Sequence, residues 1–115
     1  MSLDLPPAQV VCIAQAIYAE ARGESDLGKR AVAHVVINRS KKRKLTPCQV
    51  IREPGQFNFN HKAKYKGRDW NKAWQVANFP GLDPTGGAQY FKITRVRVSW
   101  GKKLTTVIGN HSFYK

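Results

Sequence analysis

Acidic residues are scarce in this sequence: 7 Asp and Glu stand against 20 Lys and Arg, which gives a formal net charge of +13. Such an imbalance is typical of proteins that meet a polyanion, such as a nucleic acid, an anionic membrane face or an acidic polysaccharide. The acidic residues are concentrated near the start of the sequence, since residues 1–28 contain four of the seven: Asp4, Glu20, Glu24 and Asp26. The sequence therefore predicts a basic body folded around one early acidic segment.

Long apolar runs and cysteines are also in short supply. No stretch approaches the roughly 18 consecutive apolar residues of a membrane span, so we expect none. Residues 1–7 lack a basic segment leading into an apolar one, which predicts a protein made in the cytoplasm without a secretory signal. Cys12 and Cys48 share no metal-ligand spacing with a histidine. We therefore expect two reduced, partly buried thiols rather than a disulfide scaffold, and no metal or cofactor.

The length and composition are those of one small globular unit. With 115 residues and 42% hydrophobic residues, the chain can bury an ordinary core. Neither an internal repeat nor a linker divides it. We predict a single domain over residues 1–115, present as a monomer.

Capping signals and apolar periodicity predict helices in the first two thirds of the chain. Asp4, Ser25, Thr46 and Asp69 are candidate N-caps, and prolines follow two of these positions closely. The first predicted helix has Pro6 and Pro7 in its first turn and runs to Ala21, and the others cover residues 26–39, 47–51 and 70–78. The second is apolar over much of its circumference, which indicates a central position in the core.

The last third of the chain has the pattern of strands. Residues 95–100 alternate between basic and apolar side chains, and residues 89–93 and 105–108 are further strand candidates, with a turn at residues 101–103. Turn residues are dense between residues 79 and 87 and separate the two halves. The predicted fold class is α+β, with N-terminal helices followed by a small antiparallel sheet.

Glu20 is a charged residue on an apolar helix stripe. At 100° per residue it continues the row of Ile13 and Ile17. A carboxylate on a core-facing stripe is costly unless it is hydrogen-bonded or lines a cleft. Burial raises the pKa of a carboxyl group toward neutral pH, where it can act as a general acid. Cations within about 6 Å lower that pKa. By spacing alone, a structural role as a helix cap or a partner of Arg22 or Arg30 is the simpler interpretation.

A longer motif surrounds Glu20. Residues 16–39 contain Ala-Ile-Tyr-Ala-Glu-Ala-Arg-Gly-Glu-Ser and then Gly-Lys-Arg-Ala-Val-Ala-His-Val-Val-Ile-Asn-Arg. This combination resembles the signature of the SleB-type cell-wall hydrolases, a family of spore-cortex-lytic enzymes and phage or bacterial lysins. The resemblance spans about residues 13–114 and continues in order through Thr46-Pro47, Val50-Ile51, Gln56-Phe57, Asp83-Pro84-Thr85-Gly86-Gly87-Ala88, Tyr90-Phe91 and Gly109-Asn110-His111-Ser112-Phe113.

The resemblance implies a lysozyme-like domain that acts as a lytic transglycosylase on peptidoglycan glycan strands. Such an enzyme cleaves the β-1,4 bond between MurNAc and GlcNAc and leaves a 1,6-anhydro-MurNAc end. Glu20, the first Glu of the motif, is then the catalytic residue. The basic body would hold the enzyme on an anionic cell-wall surface. The sequence lacks the separate glycan-binding domain and the export signal that such enzymes often carry, which fits a phage lysin or a virion component acting on the cell wall.

Residues that could position a glycan are flat apolar groups and amide-type hydrogen bonders. Gln56 and Tyr90 are candidates because the family motif places them in the cleft, and Phe57 and Phe91 suit the cleft or the core equally well. His111 could shape the site or close the C-terminal strand. Glu24 is expected to order the loop at the helix end beside Glu20.

Two alternatives remain open at the level of the sequence. A muramidase that uses water needs a second carboxylate, and the candidates besides Glu24 sit where a cap or turn explains them: Asp26, Asp69 and Asp83. A small nucleic-acid-binding module is supported by the basic run at residues 39–44 and by aromatics among basic residues at 57–66. No zinc-finger spacing or RNP aromatic motif accompanies them.

Overall fold

The computed structural model describes residues 5–53, 57, 65–94 and 100–115. In these ranges the helices come first and the strands last, which confirms the predicted α+β class. The helices are α1 (Pro7–Ala21), α2 (Asp26–Arg43), α3 (Pro47–Ile51) and α4 (Gly67–Asn78), and the strands are β1 (Tyr90–Ile93), β2 (Leu104–Ile108) and β3 (His111–Tyr114). Among the described residues, no helix is both long and apolar enough to cross a membrane.

Helix α2 is the centre of the core, as its all-round apolar surface predicts. Residues 31–37 are buried without interruption, because α1, α3, α4 and the sheet all pack against this helix. Helix α1 contributes its own stripe, in which Ile13 and Ile17 are completely buried. The predicted Ile13–Ile17 row therefore faces the core, and Glu20 follows it in the last turn of α1.

Two of the predicted N-caps are confirmed and explain how helices begin here. The Ser25 hydroxyl accepts a hydrogen bond of 3.2 Å from the Gly28 N–H at the start of α2. At α3, the Thr46 hydroxyl accepts from the Gln49 N–H at 3.2 Å, and the Gln49 side chain accepts from the Thr46 N–H at 2.9 Å. Each bond satisfies a backbone group that the first helical turn leaves unpaired.

Other helix boundaries differ from the predictions. Helix α2 continues to Arg43, four residues further than expected, and its last turn is basic, which suits the negative end of the helix dipole. Helix α4 begins at Gly67, so Asp69 lies in its first turn rather than at the cap. Helix α1 is preceded by Pro6 with no side-chain cap, and Asp4 lies outside the described residues.

The three strands form an antiparallel sheet in the order β1-β3-β2. Its middle strand, β3, was not predicted as a separate strand, and it carries the fully buried Phe113. The strand predicted at residues 95–100 lies outside the described residues except for Trp100, which is in a bend. Because side chains alternate along a strand, Phe91 and Phe113 face one side of the sheet while Tyr90 and Tyr114 face the other.

The expectation of two reduced thiols is wrong, because Cys12 and Cys48 form a disulfide. Their sulfur atoms are 2.08 Å apart, and their Cα atoms are separated by 5.1 Å, which is within the usual range for such a bond. The bond joins α1 to α3. The two residues are 36 positions apart in the sequence, so only the packing of these helices makes them neighbours.

Candidate active site

A cleft of about 570 Å³ lies between the C-terminal end of α1 and the sheet. Glu20 and Glu24 contribute the two carboxylates among its described lining residues, and the sheet contributes the opposite wall. The full set of described lining residues is Glu20, Glu24, Ile93, Thr94, Gly109, Asn110 and His111. Glu20, in the last turn of α1, is half-buried, so its carboxyl group is sheltered while the cleft remains open.

Glu24 is held by the turn between β2 and β3. Its Oε1 accepts a hydrogen bond of 2.9 Å from the Asn110 N–H, and its Oε2 accepts one of 3.0 Å from the Asn110 side-chain amide. The backbone hydrogen bond from Asn110 lowers the pKa of Glu24 below its usual value, despite the opposing effect of burial. Both oxygens of Glu24 therefore have protein partners, and the residue joins the α1–α2 connection to the sheet.

The close approach of Glu24 requires a glycine in the β2–β3 turn. Gly109 has φ +56°, in the left-handed region, and a Cβ atom at this position would lie only 2.4 Å from Glu24 Oε1. Glycine alone provides both the backbone conformation and the space. On the other side, the backbone carbonyl of Glu24 accepts a hydrogen bond from the ammonium group of Lys29, a buried residue of α2.

His111 is the buried histidine of the cleft wall. It lies at the start of β3, with its ring 5.1 Å from the ring of Phe91 and 6.2 Å from that of Phe113. Burial lowers the pKa of His111, and the nearby Glu24 carboxylate partly opposes this shift. Its Nδ1 is 3.8 Å from Glu24 Oε1, beyond hydrogen-bond distance, and has no hydrogen-bond partner among the described residues. His111 Nδ1 is therefore a buried polar atom behind the cleft wall with no hydrogen-bond partner among the described residues.

The aromatic candidates lie on different sides of the sheet. Phe91 contacts His111 and also the buried Phe57, whose ring is 6.0 Å away, so these two phenylalanines support the cleft wall from the core side. Tyr90 points to the opposite face, where the Arg39 guanidinium lies 4.7 Å from its ring. The structure thus brings Phe91 and His111 together and does not bring Tyr90 to the described cleft. Gln56 lies outside the described residues.

The other candidate carboxylates serve local structure. Asp83 accepts hydrogen bonds from the Thr85 N–H at 2.7 Å, the Thr85 hydroxyl at 2.6 Å, the Gly87 N–H at 3.1 Å and the Asn38 amide at 3.0 Å. Burial would raise the pKa of Asp83, but the hydrogen bonds from Thr85 and Asn38 lower it on balance. Asp26 forms an exposed ion pair of 3.3 Å with Lys72. Neither aspartate is among the described lining residues of the cleft.

Sequence reasoning missed four of the described lining residues: Ile93, Thr94, Gly109 and Asn110. The position of Asn110 could have been predicted from the sequence. Gly109-Asn110 is a typical pair for a two-residue turn between two strands, and such a turn exposes its side chains. Thr94 had no such signal, since nothing local indicates that the end of β1 reaches α1. Within the described part of the chain, no group of three His, Cys, Asp or Glu residues is arranged to hold a metal ion.

Residues 23–114 match the model of the cell wall hydrolase family. The chain belongs to this family. The resemblance to SleB-type hydrolases is thereby confirmed. The chain is also 33% identical over 110 residues to a spore cortex-lytic enzyme of Bacillus cereus, with 90% of this chain and 42% of that protein covered. It therefore spans less than half the length of the curated relatives that it matches.

Two solved structures of family members share the fold. The catalytic domain of the Bacillus cereus SleB protein is 31% identical, with a TM-score of 0.78 over 99% of this chain and 95% of that one. The catalytic domain of the germination-specific lytic transglycosylase SleB from Bacillus anthracis is 30% identical, with a TM-score of 0.77 and 100% of both chains covered. The helices and sheet that form the cleft thus belong to the fold of cell wall hydrolase catalytic domains.

Proposed function

We propose that this protein is a peptidoglycan lytic transglycosylase that cleaves the β-1,4 bond between MurNAc and GlcNAc, with Glu20 as its acid and base. The observation that carries the proposal is the position of Glu20. It is a half-buried carboxyl group that lines an open cleft of about 570 Å³, and such clefts are where small ligands and reacting groups bind.

The state of Glu24 favours a mechanism with one working carboxyl group. Ordinary glycoside hydrolysis uses two carboxyl groups, one as the acid and one as the base or nucleophile. Among the described lining residues the second carboxylate is Glu24, whose two oxygens both accept hydrogen bonds from Asn110. Because both oxygens of this carboxylate are occupied by protein donors, the proposal assigns both proton transfers to Glu20.

In the proposed reaction, Glu20 first donates its proton to the glycosidic oxygen, and the bond from that oxygen to C1 of MurNAc breaks. The Glu20 carboxylate then takes the proton of the MurNAc C6 hydroxyl while the C6 oxygen bonds to C1. The products are a free GlcNAc hydroxyl and a 1,6-anhydro-MurNAc end. Glu20 ends in the protonated form in which it began, and no water is consumed.

The relatives support this assignment by their names and folds. One structural relative is a lytic transglycosylase, and the match covers the whole of both chains. The family match itself begins at residue 23, after Glu20, so the role of Glu20 rests on the cleft and on the motif around it.

We also propose that residues 1–115 form one catalytic domain acting at the cell wall, and that Phe91 and His111 with Glu24 shape the sugar-binding wall. Of the other candidates, Phe57 is buried behind the wall and Tyr90 lies on the other face of the sheet, so only Gln56, which lies outside the described residues, is still proposed as a glycan contact.

The experiment is digestion of purified peptidoglycan by the parent protein and by Glu20→Gln, with mass spectrometry of the products. The parent should release muropeptides that are lighter by one water than hydrolysed ones. Glu20→Gln should lose at least about 100-fold in rate, which is the usual contribution of a general acid–base group, and a cooperative thermal unfolding transition should show that the variant is still folded.

Asp26→Asn is the matched control, because it makes the same carboxylate-to-amide change in an exposed ion pair outside the cleft. It should retain the parent rate. Full activity of Glu20→Gln would remove Glu20 from the catalytic role. Products that carry the added water would instead identify a muramidase.

A further inference from the structure

A second surface lies on the face of the sheet that points away from the cleft. It consists of three aromatic rings and two lysines, and we call it the lysine–aromatic surface: Tyr90, Lys92, Trp100, Lys102 and Tyr114. The strand register separates it from the cleft, because Tyr90 pairs with Tyr114 while Ile93 pairs with His111 on the other face. The proposed reaction uses neither of these lysines.

The rings of this surface are held in place by one another and by α2. The Trp100 ring contacts the Tyr114 ring at 4.9 Å and the Tyr90 ring at 5.7 Å, both edge to face. The buried Arg39 guanidinium lies 4.7 Å from the Tyr90 ring. Edge-to-face pairs of this kind add to the stability of the packing. The three rings therefore form a fixed platform rather than a set of mobile surface groups.

The two ammonium groups lie on this platform. Lys92 Nζ is 5.3 Å from the centre of the Trp100 ring, and Lys102 Nζ is 5.2 Å from the same ring and 4.3 Å from the Tyr90 ring. A cation over an aromatic face is ordered by electrostatic attraction, but each ammonium has three N–H donors and a ring does not neutralise its charge.

No acid neutralises these lysines within the part of the chain that the structure describes. The ion pairs there involve Arg43 with Glu53, Lys72 with Asp26, and the contact of His111 with Glu24. Lys103 and Lys115 are exposed and lie close by, since their backbones pair at the end of β2 and β3. Lys92 and Lys102 are thus two ordered cations with no carboxylate partner among the described residues, and further cations surround them. Such a surface is complementary to an anionic ligand.

We propose that the lysine–aromatic surface binds the carboxylates of peptidoglycan stem peptides. The identity of the polymer rests on the proposed function, and the location of the surface favours the stems over other anions. Lys92 directly precedes Ile93, which lines the cleft. Both residues lie in β1, an edge strand of the sheet, so a stem carried by the glycan strand in the cleft would reach Lys92 by passing around this edge, and tethering raises its effective concentration there.

The test measures binding rather than cleavage, so that its outcome does not depend on the catalytic role of Glu20. All proteins carry Glu20→Gln, and the Kd is measured by co-sedimentation with sacculi freed of phosphate polymers. Lys92→Gln/Lys102→Gln should raise the Kd about fivefold at low salt, as expected for the loss of two exposed charge contacts. The second arm uses sacculi whose stem carboxylates have been converted to amides. The parent should bind these sacculi with the same raised Kd that the double variant has on native sacculi. The Kd of the double variant should be the same on amidated and native sacculi.

Two further variants serve as controls. Lys66→Gln/Arg68→Gln removes the same charge from exposed residues at the start of α4, which packs against α1 and α2, and it should keep the parent Kd. Lys92→Arg/Lys102→Arg keeps a cation over each ring and should also bind as the parent does. Thermal unfolding of every variant checks the fold.

Three results would overturn the proposal. The first is equal binding of the parent and Lys92→Gln/Lys102→Gln to native sacculi. The second is undiminished binding of the parent to amidated sacculi. The third is a double variant that loses affinity for a wall phosphate polymer or duplex DNA but not for sacculi, which would assign the surface to another polyanion. If the protein with Glu20 intact fails to cleave peptidoglycan while carboxylate-dependent binding is observed, the proposed reaction is contradicted and the binding proposal is not.

Discussion

Glu24 and Asn110 are joined by two hydrogen bonds although 86 positions separate them in the sequence. One bond comes from the Asn110 backbone and the other from its side-chain amide, so the carboxylate is held in a defined orientation. This contact connects the end of α1 to the β2–β3 turn. It therefore sets the distance between Glu20 and the wall of the cleft that the sheet provides.

Gly109→Ala should disrupt this contact, and Gly101→Ala is its matched control. Both glycines have positive φ, +56° and +70°, so each alanine should cost about 1–2 kcal/mol in backbone strain. Only at Gly109 does the new Cβ also meet Glu24, whereas no atom of the described residues lies within 4 Å of a Cβ at Gly101. Displacement of the charged hydrogen-bond partner should add about 1–3 kcal/mol at Gly109.

Urea unfolding of the two variants measures this difference. In a Glu24→Ala background, where no carboxylate remains to be displaced, the excess loss at Gly109 should disappear. Equal losses for Gly109→Ala and Gly101→Ala in the parent protein would show that Glu24 does not depend on this close approach.

Stability should fall in acid, in two stages. Burial holds the pKa of His111 below its ordinary value of 6.5, so the unfolded chain takes up this proton first, and stability is lost as the pH falls from 6.5 toward the folded pKa. The pKa of Glu24 is also lowered in the fold, from 4.5, so its contribution is present above that pH and is lost as the pH falls through the folded value.

Urea unfolding between pH 3 and pH 8 tests both stages, using conditions that bracket the two ordinary pKa values. His111→Gln should flatten the upper stage. Glu24→Gln should reduce the lower stage without abolishing it, because the pKa of Asp83 is also lowered in the fold, from 3.8. An upper stage that persists unchanged in His111→Gln would mean that another group is responsible.

The disulfide should contribute strongly to stability. Its cysteines are 36 positions apart, and closing a loop of this length should raise the free energy of unfolding by about 3–4 kcal/mol. A reductant should lower the thermal midpoint of the parent protein accordingly. Cys12→Ala/Cys48→Ala should have the lower midpoint already and should not respond to the reductant. A parent midpoint that is insensitive to full reduction of the bond would contradict this contribution.

Lysis of whole cell walls should depend on salt, because the protein carries a net charge of +13. The rate should fall as the ionic strength rises past about 0.15 M, where charges more than about 8 Å apart are screened. Turbidity of a wall suspension across a salt series measures the effect. If lysis proves independent of salt while the protein remains folded, the basic surface does not recruit the enzyme to the wall.

The helical half was largely predictable because its signals are local. Ser25 and Thr46 cap the helices that they were expected to cap, since a cap depends only on the next three residues. The Ile13–Ile17 stripe placed Glu20 at the end of a buried row for the same reason. Helix α2 extends beyond its predicted end, and its last turn is basic. Lys and Arg side chains interact favourably with the negative end of the helix dipole there.

The sheet side of the site was harder to predict. Tyr90 and Phe91 are adjacent in the motif, yet their side chains lie on opposite faces of the sheet, and only a known register shows which face lies on the side of the cleft. Asn110 belongs to a recognisable turn, but nothing near it in the sequence indicates that its partner is Glu24.

The sequence by itself determined the helices, the charge of the surface and the candidacy of Glu20, because these depend on composition and on neighbours within one or two helical turns. The tertiary structure alone decided the Cys12–Cys48 bond, the Glu24–Asn110 contact and the cleft between Glu20 and the sheet. These features join segments 36 and 86 residues apart. Contacts over such separations are selected by the packing of the whole core, which no local pattern encodes.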